Sequence, residues 1–340
     1  MEYLMLIGGL VLLVLSGNYL VDSATGVARY FKIPSVIIGL TIVAFGTSAP
    51  ELLVSVTAGL EGHSSMALGN VIGSNSINSS VIVGITALIC PFIVEKESIS
   101  IDAMFMLFIS GLLLFFGYTN NVIERWEGAL LFLSLLIFVI QKIRSTNKDT
   151  EKRLEAEKEN EEDEKNWPIW LNFIVLIASM AGLSYGADFM VEGAVIIAGN
   201  MGISERVVAV TVIALGTSLP ELTASVIAAL KKEPGITIGN IIGSNIFNIG
   251  SVLAISSSIS PIQFDAANTT PDQFFSDMIW LIGFEVMLII GMINVTENYA
   301  KFRKSNKFIS LFSAEDGLVG RIWGASALAL YAYYIFTLLR

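Results

Sequence analysis

The chain has 340 residues, of which 54% are hydrophobic and 15% charged, and its formal net charge is −10. So apolar a composition excludes an ordinary soluble globular protein, and the acidic balance excludes a nucleic-acid binder. A single cysteine, Cys90, excludes both a disulfide framework and a thiolate metal site.

A helix needs about 20 apolar residues to cross the hydrocarbon core of a bilayer. Ten such stretches follow one another, centred near residues 12, 47, 78, 110, 134, 180, 218, 247, 285 and 329. The expected fold is therefore an all-α polytopic membrane protein with ten transmembrane helices. The first stretch, MEYLMLIGGL, has no basic n-region and reads as a span rather than a cleaved leader. Basic residues collect on the cytoplasmic side of short loops. With the N-terminus outside, only Arg125, Arg206 and Arg340 of the 20 basic residues fall outside. The expectation is a plasma-membrane protein with both termini outside. Trp126, Trp167, Trp170, Trp280 and Trp323 are placed near span ends, where indoles favour the interface.

The second and third spans are written again in the seventh and eighth. Residues 38–87 align with 208–257 at a constant offset of 170, without a gap, and 20 of the 50 positions are identical. The offset also pairs NYLVDSA (18–24) with DFMVEGA (188–194). The chain divides into a first repeat, 1–143, a charged cytoplasmic linker, 144–167, and a second repeat, 168–340. Five spans per repeat reverse the entry side of the second copy, which predicts inverted repeats. The linker has nine acidic and six basic side chains over 144–166 and reads as solvated.

Both copies carry G-T-S-x-P-E-L, over Gly46–Leu52 and Gly216–Leu222. Proline cannot bond the carbonyl four residues back, so helices two and seven should break there, with the preceding turn, including Ala44 and Ala214, offering backbone oxygens. Broken helix at membrane depth is tolerated where it is buried in protein or lines a cavity. Spacings of four put Thr47, Glu51 and Ser55 on one helix face, and Thr217, Glu221 and Ser225 on its counterpart. Ser74 with Asn78, and Ser244 with Asn248, share faces in the same way. Gly69/Gly73 and Gly239/Gly243 read as close-packing faces. Asn70, Asn75, Asn240 and Asn245 read as caps for the freed backbone of the broken helices.

An intramembrane carboxylate costs roughly 2.5–3.5 kcal/mol on insertion scales and is a functional candidate by default. Glu51 and Glu221 have no buried base in the sequence around them, and the available ligands are oxygens. That donor set suits hard cations such as Ca2+ or Na+, and two carboxylates balance one Ca2+. His63, the lone histidine, reads as a surface residue of an outside loop.

With GTSAPE and GNVIGSNSIN in one copy, and GTSLPE and GNIIGSNIFN in the other, the chain resembles the cation/calcium antiporter superfamily, in particular its prokaryotic sodium/calcium exchangers. The resemblance extends over nearly the whole chain. It implies a Ca2+ site made by Thr47, Glu51, Thr217 and Glu221, flanked by Na+ sites using Ser48, Ser74, Ser218, Ser244 and the carbonyls of Ala44 and Ala214. It also implies that Asn78 and Asn248 face the centre of the site, and that spans one and six slide against the other eight. Some relatives have aspartate at the position of Asn248, so ion stoichiometry does not carry over from them. Potassium-dependent relatives tend to use aspartate where Glu51 or Glu221 stands or where Asn248 stands, which speaks against potassium dependence, and GTS where proton-coupled relatives more often have GNA favours sodium.

The expected activity is sodium-driven, outward transport of Ca2+ by alternating access, with the bilayer as surroundings and no cofactor, catalytic residue or obligate protein partner. A Ca2+/H+ antiporter on the same fold is the nearest alternative. A membrane-embedded hydrolase lacks a nucleophile with a base, and a permanent pore fits duplicated broken helices less well.

Overall fold

The computed structural model describes residues 1–61, 64–89, 96–145, 167–201, 214–264, 270–294 and 320–338. Cys90, His63 and most of the charged linker lie outside these. In chain order the helices are α1 (Glu2–Phe31), α2 (Ser35–Thr47), α3 (Ala49–Leu60), α4 (Met66–Ile89), α5 (Lys96–Asn120), α6 (Arg125–Ser145), α7 (Ile169–Asn200), α8 (Ala214–Gly216), α9 (Leu219–Leu230), α10 (Pro234–Ile259), α11 (Pro271–Asn294) and α12 (Arg321–Leu338). The two strands among the described residues, β1 (Val122–Ile123) and β2 (Ile262–Gln263), pair antiparallel.

Seven of the described helices are long and apolar enough to cross a membrane, or eight if α2 and α3, bent by 43° at their junction, form one span. The seventh expected span is represented by α8 and the 12-residue α9, and residues 202–213 before them lie outside the described residues. The tenth is the 18-residue α12, which is not among the seven. Large apolar side chains such as Leu4, Ile7, Leu10, Val11 and Val14 on α1, and Leu133, Leu136, Ile137 and Ile140 on α6, are exposed, while serines and asparagines are buried. Such contiguous exposed apolar surface is an interaction surface, here one for lipid.

The fold comprises two compact units. One is Met1–Pro50 with Leu136–Gly243, the other Glu51–Leu135 with Ser244–Arg340. Two of the three boundaries, after Pro50 and after Gly243, cut through a repeat motif, and each unit contains parts of both copies.

In the first unit α1 runs along α7. Glycines make this possible: a Cβ on Gly9 would lie 2.6 Å from the Gly186 carbonyl oxygen, and one on Gly193 2.7 Å from that of Glu2. Leu13, Leu20, Val27, Leu176, Leu183, Ala224 and Ile227 form its core. α1 ends at Lys32, in a left-handed conformation (φ 53°) whose N–H bonds Arg29 O, followed by Pro34, which cannot extend the helix. Beyond α9, Lys231 reaches back to α1, where its Nζ donates to Asn18 O at 2.9 Å and pairs with Asp22.

In the second unit the core is Leu68, Val71 and Ile72 of α4, Ile109, Leu113 and Phe116 of α5, Ile249, Val252 and Leu253 of α10, and Phe274, Met278 and Leu281 of α11. Phe264 stacks on Phe274 with ring centres 4.5 Å apart. Trp280 corrects the interfacial reading, since it lies well inside α11 and packs on Phe284 and Tyr334.

α4 and α10 share a feature that hydrophobic spacing does not encode. Each contains a π-helical turn, at Asn78–Ile82 and Asn248–Leu253, starting at positions 170 apart. A third covers Gly39–Val43 in α2. Isolated π turns are uncommon and gather at functional sites, because the wider turn re-aims side chains and loosens the backbone ladder.

Candidate functional site: two sets of buried oxygens

In the first unit, α2 stops at Thr47 and α3 begins at Ala49, with Ser48 between them at φ −83°, ψ 6°. The second copy does the same, with Ser218 at φ −90°, ψ 5° before α9. The breaks therefore precede the prolines by two residues. Pro50 and Pro220 occupy first-turn positions of new helices, where a missing N–H costs nothing. This corrects the expected stripes: the break separates Thr47 from Glu51 and Ser55, and Thr217 from Glu221 and Ser225. What the break supplies instead is a helix N-terminus at each glutamate. Glu51 and Glu221 both lie in a first turn, where the positive end of the helix dipole favours a carboxylate.

Glu221 is 1% exposed. Its Oε1 accepts a hydrogen bond from Ser48 Oγ at 3.2 Å, and its Oε2 is buried without a hydrogen-bond partner among the described residues. Ser218 Oγ is likewise buried and unpartnered. Thr47 Oγ1 lies 3.1 Å from Asn240 Oδ1 and 3.3 Å from Ala44 O, with one proton to give. Ala44 O also accepts the Ser48 N–H at 3.0 Å, so its lone pairs already face donors of its own turn. Thr217 is half-buried in the turn before α9, and Ala214 opens α8. Thr47 and Ser48 of the first copy thus meet Asn240 and Glu221 of the second within one compact unit.

In the second unit Glu51 is fully buried, and its Oε1 lies 3.5 Å from Ser74 Oγ, a long hydrogen bond. Asn75 Nδ2 donates to Asn245 O at 3.0 Å, and Asn248 Nδ2 donates to Asn75 Oδ1 at 3.0 Å. Asn245 Nδ2 donates to Ser79 Oγ at 2.6 Å and touches Met106 Sδ at 3.4 Å. Ser244 is buried in the same helix. Among the described residues Asn78, 1% exposed, has no hydrogen-bond partner for either amide atom, and Asn248 Oδ1 has none.

The asparagines next to the glycines have matched roles. Asn70 Nδ2 donates to Glu51 O (3.4 Å) and Ser55 Oγ (3.0 Å), and Asn240 Nδ2 donates to Glu221 O (3.3 Å) and Ser225 Oγ (3.0 Å). They grip the helix that carries each carboxylate. The capping reading is thereby corrected in detail: the carbonyls left without an N–H by Pro50 and Pro220 belong to Gly46 and Gly216, and Asn70 and Asn240 bond one turn further on. Asn75 and Asn245 join α4 to α10 and hold no broken helix.

Gly239 and Gly243 pack as expected, for a Cβ on either would lie 2.5 Å from the carbonyl oxygen of Val36 or Leu40. Among the described residues nothing lies within 4 Å of a Cβ on Gly69 or Gly73. The stretch that corresponds to Val36–Leu40 by offset, 206–210, lies outside those residues.

No group of three or more His, Cys, Asp or Glu side chains gathers among the described residues. The donors on offer here are hydroxyl, amide, carbonyl and carboxylate oxygens, which is hard-ion chemistry. Among the described residues three buried acids, Asp102, Glu127 and Glu285, escaped the sequence reading. Glu285, in the apolar run of α11, is fully buried and belongs to neither repeat motif. The insertion-cost argument that singled out Glu51 would have found it.

A family model described as sodium/calcium exchanger protein matches residues 1–144 and 171–340. The chain belongs to the sodium/calcium exchanger family. The sodium/calcium exchanger MaX1 of Methanosarcina acetivorans is 31% identical over 319 residues, 83% of this chain and 90% of that protein. The inner membrane protein YrbG of Escherichia coli is 35% identical over 299 residues, 85% of this chain and 86% of that one. Among solved structures, the sodium-calcium exchanger NCX_Mj soaked with zero Na+ and Ca2+ superposes with a TM-score of 0.78 at 27% identity, over 99% of this exchanger and 98% of that chain. Membership makes this chain a membrane antiporter of the cation/calcium superfamily, and its buried oxygens the natural place to look for cargo.

Proposed function

We propose that this exchanger is a ten-span antiporter of two inverted five-span repeats that uses the inward sodium gradient to extrude Ca2+ across the plasma membrane. Thr47, Glu51, Thr217 and Glu221 hold Ca2+. Ser48, Ser74, Ser218, Ser244 and the carbonyls of Ala44 and Ala214 serve Na+, and Asn78 and Asn248 contribute neutral amides between them. The ligands are drawn from both copies, and the charge of two carboxylates matches one Ca2+ or more than one Na+. Ala44 O would share its present donors with the ion.

One observation carries the reading. At repeated positions, Glu221 Oε2, Ser218 Oγ and the side-chain oxygens of Asn78 and Asn248 are buried acceptors that no donor among the described residues fills. Buried polar atoms are nearly always satisfied, and a hard cation satisfies oxygens of this kind together. The neutral Asn248 favours Na+ over a proton as the coupling ion, since an amide offers nothing to titrate. Loaded alternately, one set of oxygens enforces exchange, because empty carboxylates are costly to move through an apolar seal.

The test is 45Ca2+ uptake into proteoliposomes loaded with Na+ and diluted into Na+-free medium, beside choline-loaded vesicles and vesicles bearing only a pH gradient. Uptake that requires internal Na+ is expected. Uptake driven by the pH gradient without Na+ would replace sodium by protons.

A further inference from the structure

Glu285 lies in α11, fully buried. Its Oε1 accepts a hydrogen bond from Ser110 Oγ of α5 at 2.8 Å, while Oε2 is buried without a hydrogen-bond partner among the described residues. The offset of 170 takes Glu285 to Phe115 and Ser110 to Trp280. This carboxyl therefore has no symmetry mate, unlike every polar group assigned to the cargo.

Its surroundings decide what it can bind. α11 packs against α4, α5 and α12. Met66–Ile89 contains no ionisable residue. α5 contributes the buried Asp102, two turns before Ser110, and Tyr118 near its end, with Lys96 and Glu97 at its start. α12 contributes Tyr331, Tyr333 and Tyr334, with Arg321 at its start; Tyr331 packs on Phe284, and the Tyr334 hydroxyl donates to Asp277 Oδ1 at 3.2 Å. α11 itself adds Asp272 and Asp277. Beyond the first residues of α5 and α12, none of these helices has a Lys, Arg or His. Among the described residues the side-chain groups joined by a hydrogen bond at this point are the carboxyl and one hydroxyl, and no group of three or more His, Cys, Asp or Glu gathers here, far short of the six to eight oxygens that Ca2+ takes. A proton needs one.

A path leads from this carboxyl toward the asparagines. One turn before Ser110 on α5, Met106 Sδ meets Asn245 Nδ2, and Ile109 lies where a Cβ on Gly250, in the π turn of α10, would come within 3.1 Å. We propose that Glu285 is a proton-binding site outside the two repeats, whose occupancy tunes exchange through α5 and the Asn245–Asn248 segment of α10. The site is separate from the coupling ion and stands whether Na+ or H+ drives transport.

Two measurements on the purified, reconstituted full chain test it. Infrared difference spectra across a pH titration should show a protonated-carboxyl band that disappears in Glu285→Gln. Because this reads the proton itself, its outcome does not depend on which ion drives exchange. Ca2+ flux with equal pH on both sides should vary by about threefold or more over roughly pH 5.5–8.5 in the unmodified exchanger and flatten in Glu285→Gln. Should that variant fail to fold, Ser110→Ala, which removes the one donor among the described residues, should move the midpoint of both titrations by about one pH unit. A spectrum unchanged in Glu285→Gln, or a lost band with an unchanged flux profile, overturns the proposal, as does an unmoved midpoint in Ser110→Ala.

Discussion

Asn70 and Asn240 spend both amide hydrogens on the helix that carries the nearby glutamate. Asn240→Asp keeps shape and cannot donate. It should therefore fail as Asn240→Ala does, each losing about 1–3 kcal/mol for buried acceptors left unsatisfied. Thermal unfolding and Ca2+ uptake check this, and an active Asp variant would mean that the side chain binds the ion rather than positions Glu221. Glu51→Gln and Glu221→Gln should reduce Ca2+ flux to background while the protein still reaches the membrane, as read by uptake and by surface expression. At this scale the sequence was informative because duplication marks the residues: a polar side chain kept at an offset of 170 in apolar surroundings stands out. Which donor meets which acceptor was not legible. Ser48 reaches Glu221 across 173 residues of chain, and no local spacing encodes that.

Among elements, the proline gave away the breaks but misplaced them by two residues, because proline is as comfortable in a first turn as it is disruptive in an interior. The π turns were invisible for a different reason. They insert no residue that composition would flag and shift only the angular register, which the apolar residues all around α4 and α10 do not report. Glycine packing was legible as a spacing and can be checked directly. Gly239→Ala would push a Cβ to 2.5 Å from the Val36 carbonyl, backbone against backbone with no flexible end to yield. It should destabilise the exchanger by about 1–3 kcal/mol, read as a lower melting temperature in detergent. Gly8→Ala on α1, with nothing within 4 Å, should stay within about 0.5 kcal/mol of the unmodified chain.

For the whole molecule, apolar length and charge asymmetry carry the layout, and both are properties a bilayer imposes. Sidedness is tested by single cysteines in a Cys90→Ser background. A membrane-impermeant maleimide should label Glu61→Cys in intact cells and Lys232→Cys only after lysis, and the reverse pattern would invert the topology. Eight of the ten expected spans have counterparts long and apolar enough when the bent pair counts as one.

The bond from Lys231 to Asp22 bears on that duplication. Moved by 170, its two partners become Glu61 and Glu192, both acids. The copies agree in the oxygens proposed to face cargo and disagree in the charges that fasten one helix to another. In a chain of two identical copies, every contact from one copy to the other would occur twice. Here the ion pair that ties Asp22 of the first copy to Lys231 of the second has two acids, Glu61 and Glu192, as its counterpart, so the copies are not interchangeable even before any ion binds.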